Sequence, residues 1–275
     1  MGGGRGILGN MKYKLIAADM DGTLLNDESV MTERTKSAVK SAVKAGVLFV
    51  TATGRPMCAS EEINALFDID LPFITFNGAT VIMGKSKKIL FSSSLDDGYV
   101  GQIYGFGLKY NVPVIVWSGE TLWASREGKD VRDYQKISDA QVNIIGDIKD
   151  IKNVSKMLWI DEPEKITLHQ REMNGYFSGR VNCHPSRPEF LEFVSAETSK
   201  GAALKEIGKL YGIDRSEMIA VGDGYNDLSM LEYAGLGAAM QNAPADVKSV
   251  CQYVTLSNND DGAAEVIEKF IQQEN

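Results

Sequence analysis

A chain of 275 residues with a formal net charge of −8 can bury a sizeable core, in one large or two moderate domains. Its acidity argues against nucleic acid or an anionic membrane surface as the main partner, so an anionic substrate has to be met by local positive groups. No apolar run reaches the ~20 residues that span a bilayer and no signal peptide is legible. The three cysteines, Cys58, Cys183 and Cys251, are too far apart for a disulfide framework or a cysteine-rich zinc site, so a cytoplasmic protein is expected.

The Gly-rich residues 1–10 read as a leader ahead of Met11 and are set aside. From there one grammar recurs: a short apolar run, a polar turn, then a helical pattern. KLIAADMDGT leads into MTERTKSAVKSAVKAG, whose Val39 and Val43 fall four apart and whose end is marked by Gly46. GVLFVTATGRP leads into MCASEEINALF, with Pro56 where a first helical turn tolerates it. The middle of the chain, residues 84–193, breaks the pattern with hairpin-like pieces (TVIMGKSKKILF, VIVWSGETLWAS) and helical stretches at DDGYVGQIYGFGLKY and EPEKITLHQREMNGYF. Then SAETSKGAAL opens a helix, EMIAVGDGYND leads into LSMLEYAG, and YVTLSNNDDG into AAEVIEKFIQQ. Apolar strands alternating with helices predict a doubly wound α/β core, mainly parallel and Rossmann-like. Its two parts would be 11–83 and 194–275, with an α+β domain inserted over 84–193. In such sheets ligands bind beyond the carboxyl ends of the strands, where these polar turns fall.

Four turns then carry candidate chemistry. Asp19 and Asp21 lie two apart after an apolar strand, which on an extended segment puts both carboxylates on one side. That repulsive pair is favourable with a divalent cation between them, or with the two groups in different protonation states; a polar Asp-Gly turn is the plainer alternative. Thr53 and Gly54, at the start of an expected helix, suit a phosphate or simply an N-cap. Lys200 opens a helix against its dipole, which a bound anion explains better than a solvated surface lysine. Asp223, Asn226 and Asp227 form either a charged cluster or an Asx-rich turn.

In this order, DMDGTLL, TATGR, SKGAAL and GDGYND resemble the four motifs of the haloacid dehalogenase superfamily, and more narrowly its Cof-type phosphatases with a large α/β cap. FNGA at 76–79, AMQNAPADVK at 239–248 and the ending SNNDDGAAEVIE resemble the same group. The resemblance implies a magnesium-dependent phosphatase of small phosphorylated metabolites, sugar phosphates first and phosphorylated cofactors such as pyridoxal phosphate or flavin mononucleotide next. It makes Asp19 the nucleophile of an aspartyl-phosphate mechanism and Asp21 the general acid and base. Mg²⁺ would be held by Asp19, the main-chain carbonyl of Asp21 and Asp223, with Asp227 and Asn226 orienting them. Lys200, Thr53 and the main chain around Met20, Gly22 and Gly54 would hold the phosphoryl group, with Arg55, Asn77 and Asn242 at the edge of the site. A phosphomutase and a non-catalytic phospho-ligand sensor are the alternatives. His184 beside Cys183 lacks a second pair at ligand spacing, and Trp117, Trp123 and Trp159 read as packing residues.

Overall fold

The apolar runs become strands whose residues are buried along their whole length, as in LIAAD and MIAVG, because a parallel strand in mid-sheet has no face left for water. The computed structural model describes residues 12–271, and the expected leader lies outside them. In chain order the first elements are β1 (Leu15–Asp19), α1 (Glu33–Lys44), β2 (Leu48–Ala52), α2 (Glu61–Ala65), β3 (Pro72–Thr75), β4 (Thr80–Met83) and β5 (Ile89–Ser92). There follow α3 (Asp97–Lys109), β6 (Val114–Ser118), β7 (Thr121–Ala124), α4 (Lys129–Ser138), β8 (Val142–Ile144), β9 (Val154–Ile160), α5 (Pro163–Phe177), β10 (Val181–Arg187) and β11 (Phe190–Ser195). The chain then runs through α6 (Lys200–Tyr211), β12 (Met218–Gly222), α7 (Leu228–Tyr233), β13 (Leu236–Ala239), α8 (Ala245–Ser249), β14 (Tyr253–Val254) and α9 (Gly262–Phe270).

Two compact units result: residues 12–54, 62–89 and 199–271 form one, residues 55–61 and 90–198 the other. An eight-stranded sheet among the described residues is ordered β14-β13-β12-β1-β2-β3-β4-β5, parallel from β14 to β3 with β4 turned back on β3, and all of it but residues 90–92 of β5 lies in the first unit. The TVIMGKSKKILF hairpin, expected to open the insert, therefore supplies edge strands to this sheet. Register places the chemistry: Asp19 is level with Ala52 of β2, and Ala18 with Val221 of β12. Asp19, Thr53 and Asp223 consequently leave the sheet at the same edge. Helix α1 is capped by Thr32, whose side chain accepts from the Thr35 N–H, and it buries Ala38, Val39 and Ala42.

The second unit has a six-stranded sheet, β10-β11-β9-β6-β7-β8, on which α3 and α5 pack through Ile103, Met173 and Phe177. Trp117 and Trp159 are wholly buried here, which bears out a packing role, and Trp123 is partly buried against the same core. All three cysteines are free. Burial pushes the Cys183 thiol up to about 12, so it is inert at neutral pH.

Candidate active site

Lys200 has no solvent exposure at all, and its Nζ donates to Oδ1 of Asp19 and, at 2.6 Å, to Oδ1 of Asp227. Its place is set by the first turn of α6. The Ser199 hydroxyl accepts from the Ala202 N–H at 3.1 Å, and the carbonyl of Ser199 closes onto Gly78. Gly78 has φ +107°, and a Cβ there would lie 2.1 Å from that carbonyl oxygen. A wholly buried lysine at a helix start is costly unless carboxylates compensate it. Burial would lower its pKa, but Asp19 and Asp227 outweigh that and push it up to about 12.

Asp227, also fully buried, uses its second oxygen to accept from the main-chain N–H of Asp223 at 3.0 Å and of Gly224 at 2.9 Å. It thus ties the β12–α7 turn to Lys200. Asp223 accepts from the Thr23 hydroxyl at 3.1 Å and from the Asn242 amide at 3.3 Å. Gly22 has φ +76°, and a Cβ on it would come within 2.5 Å of the Asp223 carboxylate, so only glycine lets this turn close on the acid. One carboxylate oxygen from each of Asp19, Asp223 and Asp227 lies within 4.8 Å of the others. Desolvation, with the negative charges of Asp227 and Asp223 added to it, pushes Asp19 up to about 8 against the pull of Lys200. Burial and the charge of Asp227 push Asp223 to about 6.

Fully ionised, the three carboxylates would exceed the one ammonium by two negative charges, and without a cation Asp19 and Asp223 hold their protons to unusually high pH instead. The donors are all hard oxygens, and among the described residues no histidine or cysteine joins them, His184 and Cys183 included. That donor set fits a divalent cation of the magnesium type rather than zinc. Asp227 accepts from the Lys200 ammonium and from two main-chain N–H groups, which fits it to anchor the cluster, with Asp19 and Asp223 as the ligands.

Two local expectations change. β1 ends at Asp19, Met20 is buried in a turn whose carbonyl accepts from Leu24 and Leu25, and Asp21 is exposed beyond it. Strand alternation therefore does not hold the two acids together, although Asp21 lies close enough to Asp223 for its charge to raise that acid. After Gly54 no helix starts at once: Pro56 intervenes, and only a single 3₁₀ turn, Cys58–Ser60, precedes the short α2. Pro56 biases Arg55 away from helical geometry, so Thr53 and Gly54 do not sit on a helix N-terminus.

Thr53 is fully buried, its N–H donating to the Ile74 carbonyl at 2.8 Å and its carbonyl accepting from Asn77 at 3.0 Å. Gly54 faces the Asn77 side chain. The Asn226 amide donates to Asn77 at 3.0 Å, so Asn226 joins the turn after β12 to the turn after β3. Asn242 donates to the Gly22 carbonyl at 2.9 Å as well as to Asp223. Arg55, half-buried, begins the 55–61 segment of the second unit. Thr23 was not singled out in the sequence; its position directly after Asp-Gly in DMDGTLL was the available signal.

The model of the haloacid dehalogenase-like hydrolases matches residues 16–267. The chain is 30% identical, over 94% of its length and 98% of the relative's, to the Bacillus subtilis (strain 168) 5-amino-6-(5-phospho-D-ribitylamino)uracil phosphatase YwtE. It is similar to the crystal structure of a haloacid dehalogenase-like hydrolase from Bacteroides thetaiotaomicron, with a TM-score of 0.84 and 30% identity over 94% of this chain and 99% of that one. It is also similar to the sugar phosphatase BT4131 of HAD subclass IIB, with a TM-score of 0.75 and 25% identity over 94% and 98% of the two chains. With the four motifs gathered at one sheet edge and the family model spanning both units, the chain belongs to the haloacid dehalogenase-like hydrolases.

Proposed function

We propose that this hydrolase is a magnesium-dependent phosphatase that cleaves a small phosphorylated metabolite, sugar phosphates first, through an aspartyl-phosphate formed on Asp19. The observation that carries the reading is the buried Lys200 bonded to both Asp19 and Asp227 beside Asp223, a charge arrangement that a solvated turn has no use for. A phosphatase and a sugar phosphatase among the similar proteins support the substrate class.

Lys200 engages one oxygen of Asp19 and so aims the other. That oxygen attacks phosphorus, the bond to the leaving oxygen breaks, and Asp21 supplies the proton that the departing alkoxide takes up. Exposure suits Asp21 to this work, because it must meet the leaving group and then water. Now ionised, Asp21 takes a proton from the water that attacks the same phosphorus, which frees phosphate and returns Asp19. Lys200 and the main-chain N–H groups of the 20–22 turn oppose the charge that builds on the phosphoryl oxygens. Magnesium held by Asp19, Asp223 and the main-chain carbonyl of Asp21 would neutralise the remaining charge there. The first unit holds these groups, and the second is assigned the choice of leaving group. Turnover of p-nitrophenyl phosphate with Mg²⁺, lost on chelation, followed by a panel of sugar and cofactor phosphates, tests the reading. No turnover with the metal present would contradict it.

A further inference from the structure

The resemblance places Asn242 at the edge of the site, and its side chain makes three hydrogen bonds within the first unit. Its Oδ1 accepts from the main-chain N–H of Asn258 at 3.1 Å. An amide has one accepting end and one donating end, so this bond turns the NH₂ toward the Gly22 carbonyl at 2.9 Å and Oδ2 of Asp223 at 3.3 Å. Asn258 is itself fixed. It is buried, and its own amide donates to the Leu25 carbonyl at 3.2 Å and to Asp27 at 3.0 Å, while Asn259 donates to the other oxygen of Asp27 at 2.9 Å. A continuous run of bonds therefore links the 257–261 segment to both ends of the 20–27 loop and to Asp223.

We propose that Asn242 is a positioning residue that acts through Asp223: oriented by the Asn258 N–H, it locks the Asp223 carboxylate against the Gly22 turn in the geometry that receives the cation. The inference rests on the metal site of the proposed function. Uncharged at every pH, the amide satisfies Asp223 without competing for the cation, and it joins two loops that strand pairing leaves independent. It predicts an effect on metal affinity and none on the phosphoryl group itself.

The test is calorimetric titration of Asn242→Ala with MgCl₂ alone, beside inhibition by inorganic phosphate at saturating Mg²⁺. Loss of a bond to a ligating carboxylate is expected to weaken Mg²⁺ binding about tenfold or more, with the phosphate inhibition constant within twofold of wild type. Retained Mg²⁺ affinity overturns the proposal, and so does weaker phosphate binding once metal is saturating. Should Asn242→Ala fail to fold, Asn242→Gln keeps the amide but misplaces it and is expected to shift Mg²⁺ affinity in the same direction. Wild-type protein that takes up no Mg²⁺ would remove the functional reading itself; a variant that matches a metal-binding wild type removes only this inference.

Discussion

Lys200 is an ammonium with no access to water, and its value lies in what it compensates. Lys200→Ala leaves Asp19 and Asp227 buried without their partner, and removal of one member of such a group costs about 3–5 kcal/mol. Loss of one preorganised contact to the phosphoryl oxygens should lower kcat by a further ~10²–10³-fold; denaturant unfolding and steady-state kinetics read the two effects separately. The acids beside it give a pH signature. Asp19 and Asp223 stand at about 8 and about 6 in the folded chain against the ordinary 3.8, so the metal-free folded state binds protons more tightly than the unfolded one. The stability they contribute is complete below about pH 4 and is lost as pH rises through 6 and then 8. In chelator the Tm should fall across that window and Mg²⁺ should remove the slope, whereas Asp19→Asn should flatten its upper part. A metal-free Tm that climbs from pH 5 to pH 8 would contradict the burial of these charges.

At the scale of elements, the sheet edge depends on close approaches more than on regular structure. Gly78 meets the carbonyl just before α6, and Gly78→Ala would force a strained φ and a clash that displaces the first turn of that helix. A cost of ~1–3 kcal/mol is expected, and kcat should fall with it because Lys200 is the first residue to move; an unchanged kcat would show the helix start to be adjustable. Much of this level was legible. Continuous apolar runs betray buried parallel strands, Gly46 marks the end of α1, and four polar turns at strand ends direct attention to one edge. What sequence spacing hid was local and long-range at once. Strand alternation misplaced Asp21 because β1 stops at Asp19, and Pro56 removed the helix start expected after Gly54. The Asn77–Asn226 bond joins residues 149 apart, a separation that no periodicity can report.

Across the whole molecule, two units carry separate cores, and calorimetry should resolve separate responses. The second unit buries its own ion pair, Lys156 to Glu192 at 2.9 Å. Lys156→Ala strands Glu192 and should cost that unit about 3–5 kcal/mol, whereas Mg²⁺ should raise the transition of the first unit alone; a metal effect on both would contradict the assignment of the cation to the first. Lys200 and the carboxylate cluster belong to one unit, and the central claim is that Asp19 in that unit becomes phosphorylated. The direct measurement is rapid mixing of Asp21→Asn with p-nitrophenyl phosphate and Mg²⁺. Nitrophenolate departs without needing a proton, so attack by Asp19 survives the substitution, while hydrolysis of the acyl phosphate, which needs the missing base, stalls. A burst of one nitrophenolate per chain and a phosphoryl group on the peptide that contains Asp19 are the expected result. Slow linear release with no burst and no covalent phosphate would contradict it.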